Sequence, residues 1–223
     1  MPYAAAIFDL DGTLINSLRD IGEAMNRTLD AMGFPVHALD KYNYFVGEGV
    51  RQLVQRALPA DQQSDATITT FLAAYRADYG QHWHDHTAPY PGIPALLEAM
   101  VERRIPIGVL SNKPDAVTRL CVEHFFPHVP FIAVAGQKED VPRKPDPAAA
   151  LAIAEGMNVP PERCVFIGDT ATDMQTAVAA GMFPAGVTWG FRPRTELLDT
   201  GARLIADQPE ALLGLFTDQP VGA

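Results

Sequence analysis

Ala4-Ala5-Ala6-Ile7-Phe8-Asp9-Leu10-Asp11-Gly12-Thr13-Leu14 is an apolar run that stops in two carboxylates one residue apart, followed at once by glycine and threonine. Tyr3 to Phe8 predicts a strand buried on both faces, as in parallel sheets. Asp9 then falls at its carboxyl end, where open α/β sheets place ligands. Gly12 lets the chain turn away sharply. Two aspartates so close repel each other unless a proton or a cation intervenes. A lone Asp-x-Asp is usually an Asx turn closing a strand. Asp-x-Asp-Gly-Thr fixes four residue types, which chance supplies on the order of 10⁻³ times in a chain this long at background frequencies near 5%. That favours chemistry over a turn.

Beyond this stretch the grammar changes twice. Ser17 predicts a helix start, with Asp20 as capping-box partner and Gly33 as the stop. Further helices are predicted after Gly47-Glu48-Gly49 and from Ser64, so residues 17 to about 85 read as all-helical. From Tyr90 onward strands and helices alternate. Strands are predicted at 105–110, 131–135, 164–167, 184–187 and 203–206, and helices at 115–125, 147–156, 173–180 and 209–216. Asp146 is expected as N-cap, with Pro147 in the first turn. This alternation predicts an α/β fold, a doubly wound parallel sheet with a Rossmann-like core and an inserted helical cap. The expected division is a core of residues 1–15 and 89–223 and a cap of residues 16–88.

Apolar residues make up 48% of the 223 and charged ones 20%, as in ordinary globular proteins. The net charge of −10 argues against nucleic-acid or anionic-membrane surfaces, which need clustered Lys and Arg. It does not exclude a small anionic substrate, since a metal and a few local cations can set the field in a cleft. Cys121 and Cys164 lie in apolar patterns and are expected as buried free thiols. With no signal-peptide pattern and no apolar run of membrane-helix length, the expected location is cytoplasmic.

Other strand ends carry polar residues that an apolar strand gains nothing from. Ser111-Asn112-Lys113 follows Val109-Leu110, Asp169 follows Phe166-Ile167-Gly168, and Lys144 precedes a helix in Arg-Lys-Pro-Asp-Pro. Singly these are bland: a solvated loop lysine with Lys138 as rival, a turn serine, an N-cap at Asp173. Together, in this order, Asp9-x-Asp11, Ser111, Lys144 and Gly168-Asp169-x-x-x-Asp173 resemble the four motifs of the haloacid dehalogenase superfamily in its phosphatase form. The likeness runs from about residue 4 to 190.

That resemblance implies an aspartyl-phosphate route with Asp9 as nucleophile and Asp11 as acid and base. It implies Mg²⁺ held by Asp9, Asp169 and the main-chain carbonyl of Asp11, with Asp173 in support. Ser111, Asn112 and Lys144 would cradle the phosphoryl group, with Thr13 also counted among the binding residues. The insertion resembles the family's C1-type caps, and Phe45-Val46-Gly47-Glu48-Gly49 with Val50-Arg51 is similar to the cap of phosphoglycolate phosphatases. Gly47, Arg51 and Lys113 are therefore expected near the organic part of the substrate, a small phosphorylated metabolite with 2-phosphoglycolate foremost. A sugar phosphomutase, a pyrophosphatase or a non-catalytic binding module are the alternatives, and the assembly is expected to be a monomer or homodimer. His82, His84 and His86 at alternate positions are read as a solvated hinge rather than a zinc site.

Overall fold

A computed structural model describes residues 2–216. Residue 1 and residues 217–223 of the expected core lie outside the described residues. The chain starts in β1 (Ala5–Phe8), passes a two-residue strand β2 (Ile15–Asn16), and enters α1 (Leu18–Ala31), α2 (Tyr42–Phe45), α3 (Val50–Ala57) and α4 (Asp65–His82). It returns through β3 (Ala88–Pro89) and then alternates. The order is α5 (Ile93–Glu102), β4 (Ile107–Pro114), α6 (Asp115–Phe125), β5 (Ala133–Gln137), α7 (Ala148–Gly156), β6 (Cys164–Gly168), α8 (Ala171–Ala179), β7 (Phe183–Val187), α9 (Arg194–Asp199) and β8 (Leu204–Ala206).

Six strands form one parallel sheet in the order β5-β4-β1-β6-β7-β8. All four residues of β1 are fully buried, with Ala6 and Phe8 in one hydrophobic core and Ala5 and Ile7 in another. That is the reason for its unbroken apolar character. From β1 the chain builds outward through β4 and β5, then crosses back to add β6 on the other side. The strand order reverses at β1, so Asp9 stands at the crevice where doubly wound sheets bind ligands.

The helices between β2 and β3 pack on one another, α1 and α3 against α4. The chain leaves and re-enters the sheet region through a two-stranded antiparallel ribbon pairing Ile15 with Pro89 and Asn16 with Ala88. Asp20, buried in the first turn of α1, does not complete a capping box with Ser17. Its carboxylate accepts from the amides of His86 and Thr87 at 3.0 and 2.8 Å and from the Thr87 hydroxyl at 2.6 Å. It thus staples the start of the insertion to its end. Ser17 makes no side-chain cap either.

Element ends depart from expectation where local chemistry competes. α7 starts at Ala148, one residue after Pro147, and the Asp146 carboxylate accepts the Ala148 amide at 2.9 Å. α8 starts at Ala171, because Thr170 and Asp173 form a reciprocal capping box. Residues Pro209–Phe216 wind as 3₁₀ turns instead of an α-helix. Both cysteines are buried and free, as expected.

Candidate active site

The loop after β1 turns at Gly12 with φ of +86°, a left-handed angle that glycine adopts without penalty. Space demands glycine as well, since a Cβ there would sit inside the Asp169 carboxylate. Gly190 meets Asp169 from the other side in the same way. Backbone is thereby packed against a carboxylate that is fully buried at the end of β6.

Asp9, Asp169 and Asp173 each bring a carboxylate oxygen within 4.8 Å of the others. Each is held in place. Asp9 accepts the Leu10 amide at 2.7 Å, and Asp169 accepts the Thr13 hydroxyl at 2.9 Å and the Phe191 amide at 2.8 Å. Asp173 accepts the amide and hydroxyl of Thr170 at 3.0 and 2.6 Å. Lys144, itself buried, reaches Asp9 at 2.9 Å and Asp173 at 2.6 Å.

One lysine cannot balance three buried carboxylates. Burial, and then Asp173, push Asp9 from the ordinary 3.8 to about 7 against the pull of Lys144. Burial, Asp173 and Asp9 hold Asp169 well above the carboxylate range. Burial alone would lower Lys144, but Asp173 and Asp9 outweigh it and hold its ammonium above the ordinary value. An all-oxygen, buried, mutually repelling trio suits a hard divalent cation.

Asp11 belongs to a second arrangement. Its carboxylate accepts the Ser17 hydroxyl at 2.5 Å and the Lys113 ammonium at 2.9 and 3.2 Å. Lys113 also donates to the phenol oxygen of Tyr79 on α4 at 2.7 Å, so the core lysine ties Asp11 to the helical insertion. Burial works against the charge on Lys113, and Asp11 and Tyr79 more than restore it.

A cavity of about 270 Å³ opens over Asp9 and Asp11, with Ser111, Asn112 and Lys113 from the end of β4 at its floor. Gly47 lines it and anchors the insertion, its carbonyl accepting from the Asn112 side-chain amide at 3.0 Å. The same Asn112 side chain exchanges bonds with the Lys144 backbone at 3.1 and 2.9 Å. Its side chain therefore braces the site.

Two expected binding residues are placed elsewhere. Thr13 is fully buried with its hydroxyl on Asp169, so it steadies a carboxylate and does not face the cavity. Arg51 pairs with the exposed Asp65 and lines a neighbouring cleft, because its position on α3 turns it outward. Among the three histidines, His82 bonds Asp85 at 2.8 Å and His84 stacks on Trp83. His86 lies near Glu23 and Asp20, but there Asp20 is already filled by the His86 and Thr87 amides and the Thr87 hydroxyl.

Sequence reasoning passed over Thr170 and Arg192 and gave Tyr79 and Trp189 no role at the site. Trp189 donates to the Thr13 carbonyl at 3.0 Å, and Arg192 donates to the Val46 carbonyl at 3.0 Å. Thr170 alone had a local signal, its three-residue spacing from Asp173 being that of a capping box.

Buried carboxylates at the switch point of a parallel sheet, closed by a lysine and covered by a helical insertion, define an enzyme site rather than a binding face. Residues 6–187 match the family model described as haloacid dehalogenase-like hydrolase, and the chain belongs to that family. A phosphoglycolate phosphatase of Rhodospirillum rubrum is 34% identical over 91% of this chain and 86% of the relative. Another, of Pseudomonas putida, is 31% identical over 97% of this chain and 80% of the relative. A solved protein of Lactobacillus delbrueckii subsp. bulgaricus is 29% identical and superposes with a TM-score of 0.91, covering 98% of this chain and all of the other. No helix among the described residues is long and apolar enough to cross a membrane.

Proposed function

We propose that this hydrolase is a Mg²⁺-dependent phosphatase of small phosphate monoesters, working through an aspartyl-phosphate on Asp9. The observation that carries it is the division of labour among carboxylates. Asp9, Asp169 and Asp173 crowd around Lys144, while Asp11 is held apart at the cavity by Lys113 and Ser17. Asp9, Asp169 and Asp173 would hold Mg²⁺, with the main-chain carbonyl of Asp11 as the further oxygen ligand the resemblance implies. When bound, the ion neutralises charge on the phosphoryl oxygens.

The remaining work falls to side chains. The Asp9 carboxylate attacks phosphorus, and the bond to the ester oxygen breaks as Asp11 gives that oxygen a proton. Water then attacks phosphorus as Asp11 takes its proton, the bond from the Asp9 oxygen to phosphorus breaks, and phosphate leaves with the Asp9 carboxylate regenerated. Lys144 and Ser111 stabilise the phosphoryl oxygens throughout. Residues 16–88 act as a lid on the core formed by residues 1–15 and 89–223, excluding water from the cavity.

The relatives are named for phosphoglycolate, which makes 2-phosphoglycolate the first metabolite to assay. Phosphate release from p-nitrophenyl phosphate, before and after EDTA and with Mg²⁺ restored, tests the reaction class. Turnover should stop with EDTA and return with Mg²⁺. Release unaffected by EDTA, or no release from any ester, would count against the proposal. A mutase would instead return a phosphorylated isomer without free phosphate.

A further inference from the structure

The cavity over Asp9 is oversized and under-charged for a two-carbon acid. Its volume of about 270 Å³ approaches the roughly 300 Å³ at which small-molecule pockets begin. Of the polar side chains that line it, Asp9, Asp11, Ser111, Asn112 and Lys113 come from the ends of β1 and β4, where the phosphoryl group would bind, and Arg76 comes from α4. The opposite wall is apolar. Val46, Val50 and Leu53 line it from one part of the insertion, Tyr75 and Tyr79 from successive turns of α4, and Trp83 from that helix's C-cap. Val117 and Leu120 on α6 extend the same surface along the core side.

A carboxylated ester needs a second cation as well as this floor. Lys113 is already engaged by Asp11 and Tyr79. Arg51 is turned to Asp65, and Arg192, held by the Val46 carbonyl and Glu196, does not line the cavity. Arg76 remains, but it is exposed and shared with the neighbouring cleft. A carboxylate placed against the apolar wall loses hydration without a buried partner, whereas each methylene there gains.

We propose that the site prefers monoesters whose organic part is a compact apolar ring or branched chain over 2-phosphoglycolate. This rests on the phosphatase reading above for its phosphoryl end, but the preference can be measured apart from it. Cyclohexylmethyl phosphate, ethyl phosphate and 2-phosphoglycolate are all esters of primary alcohols, so their KM values compare the organic group. The cyclohexylmethyl ester should show a KM at least about tenfold below the other two, a modest share of the gain for its added methylenes. Leu120 is partly exposed, so Leu120→Asp should fold. It should shrink that KM ratio severalfold.

Binding supplies the readout free of turnover. Trp83 lines the cavity, so its fluorescence can follow titration of the Mg²⁺-loaded protein with cyclohexylmethylphosphonate, methylphosphonate and phosphonoacetate. The cyclohexyl compound should bind at least about tenfold more tightly than either of the others. Equal or tighter binding of phosphonoacetate, or no detectable binding of the cyclohexyl compound, overturns the proposal. If no ester is hydrolysed, p-nitrophenyl phosphate included, the phosphatase reading fails while the phosphonate order still decides the cavity's preference.

Discussion

On the proposed route Asp9 would have to be ionised to attack phosphorus, yet it is buried among carboxylates. Burial and Asp173 raise its carboxyl to about 7, and Asp169 is raised in the same direction. In metal-free protein the folded state therefore keeps protons that the unfolded chain has released. Stability should fall as pH rises from about 4 through 7, because the folded state binds more protons over that window. Lys144 is raised too, so its contribution is lost only at alkaline pH, outside that window. Thermal unfolding in EDTA across pH 5 to 8 checks this, and Asp9→Asn should flatten part of the slope. A melting temperature that rises with pH in EDTA would contradict it. At this scale the family resemblance named the residues of the four motifs, and the fold brings Asp9, Lys144, Asp169 and Asp173 into one cluster, with Asp11 and Ser111 at the cavity beside Asp9. The placement of Thr13 and Arg51 was not legible, because facing a cavity is decided by tertiary structure: one hydroxyl turns to Asp169, one guanidinium to Asp65.

Single elements aim these side chains. Thr170 caps α8 and gives both its amide and its hydroxyl to Asp173, so one threonine ends a strand-to-helix turn and orients a carboxylate. Thr170→Ala should cost about 1 kcal/mol of stability from the lost cap. It should also weaken Mg²⁺ binding severalfold, with Thr170→Ser restoring both. Calorimetric melting with a Mg²⁺ titration measures the two effects, and unchanged metal affinity would leave Thr170 a cap and nothing more. α4 shows a different economy, with Tyr75, Tyr79 and Trp83 four residues apart on one stripe that meets the cavity. That stripe was partly readable as helical periodicity, through Tyr75 and Tyr79. What it faces was not, since a stripe against a core and a stripe against a cavity look alike in sequence. The start of α1 falls where Ser17 placed it, but the expected capping box does not form, because the Asp20 carboxylate is taken by the distant backbone of His86 and Thr87.

At the scale of the fold, the insertion is joined to the core by a two-stranded ribbon and by polar ties between residues far apart in sequence. Asn112 donates to the Gly47 carbonyl, Arg192 to the Val46 carbonyl and Lys113 to the Tyr79 phenol oxygen. The parallel sheet was readable from the alternation of strand and helix, but these ties join residues far apart in sequence and leave no local pattern. Because Mg²⁺ would bind the folded cluster and not the unfolded chain, 100 times its Kd should add about 2.7 kcal/mol. For a chain of this size that raises Tm by several degrees, at roughly 2–4 °C per kcal/mol. Asp169→Asn should remove the shift, whereas a full shift in that variant would place the metal elsewhere. Strand order, acid trio and lid all converge on one carboxylate at the end of β1. Phosphate release by purified Asp9→Asn, with its circular dichroism matched to the parent, tests that convergence most directly. The prediction is loss of turnover by at least about 10³-fold, since the amide keeps the shape and loses the nucleophile. Release within tenfold of the parent by the folded variant would contradict it.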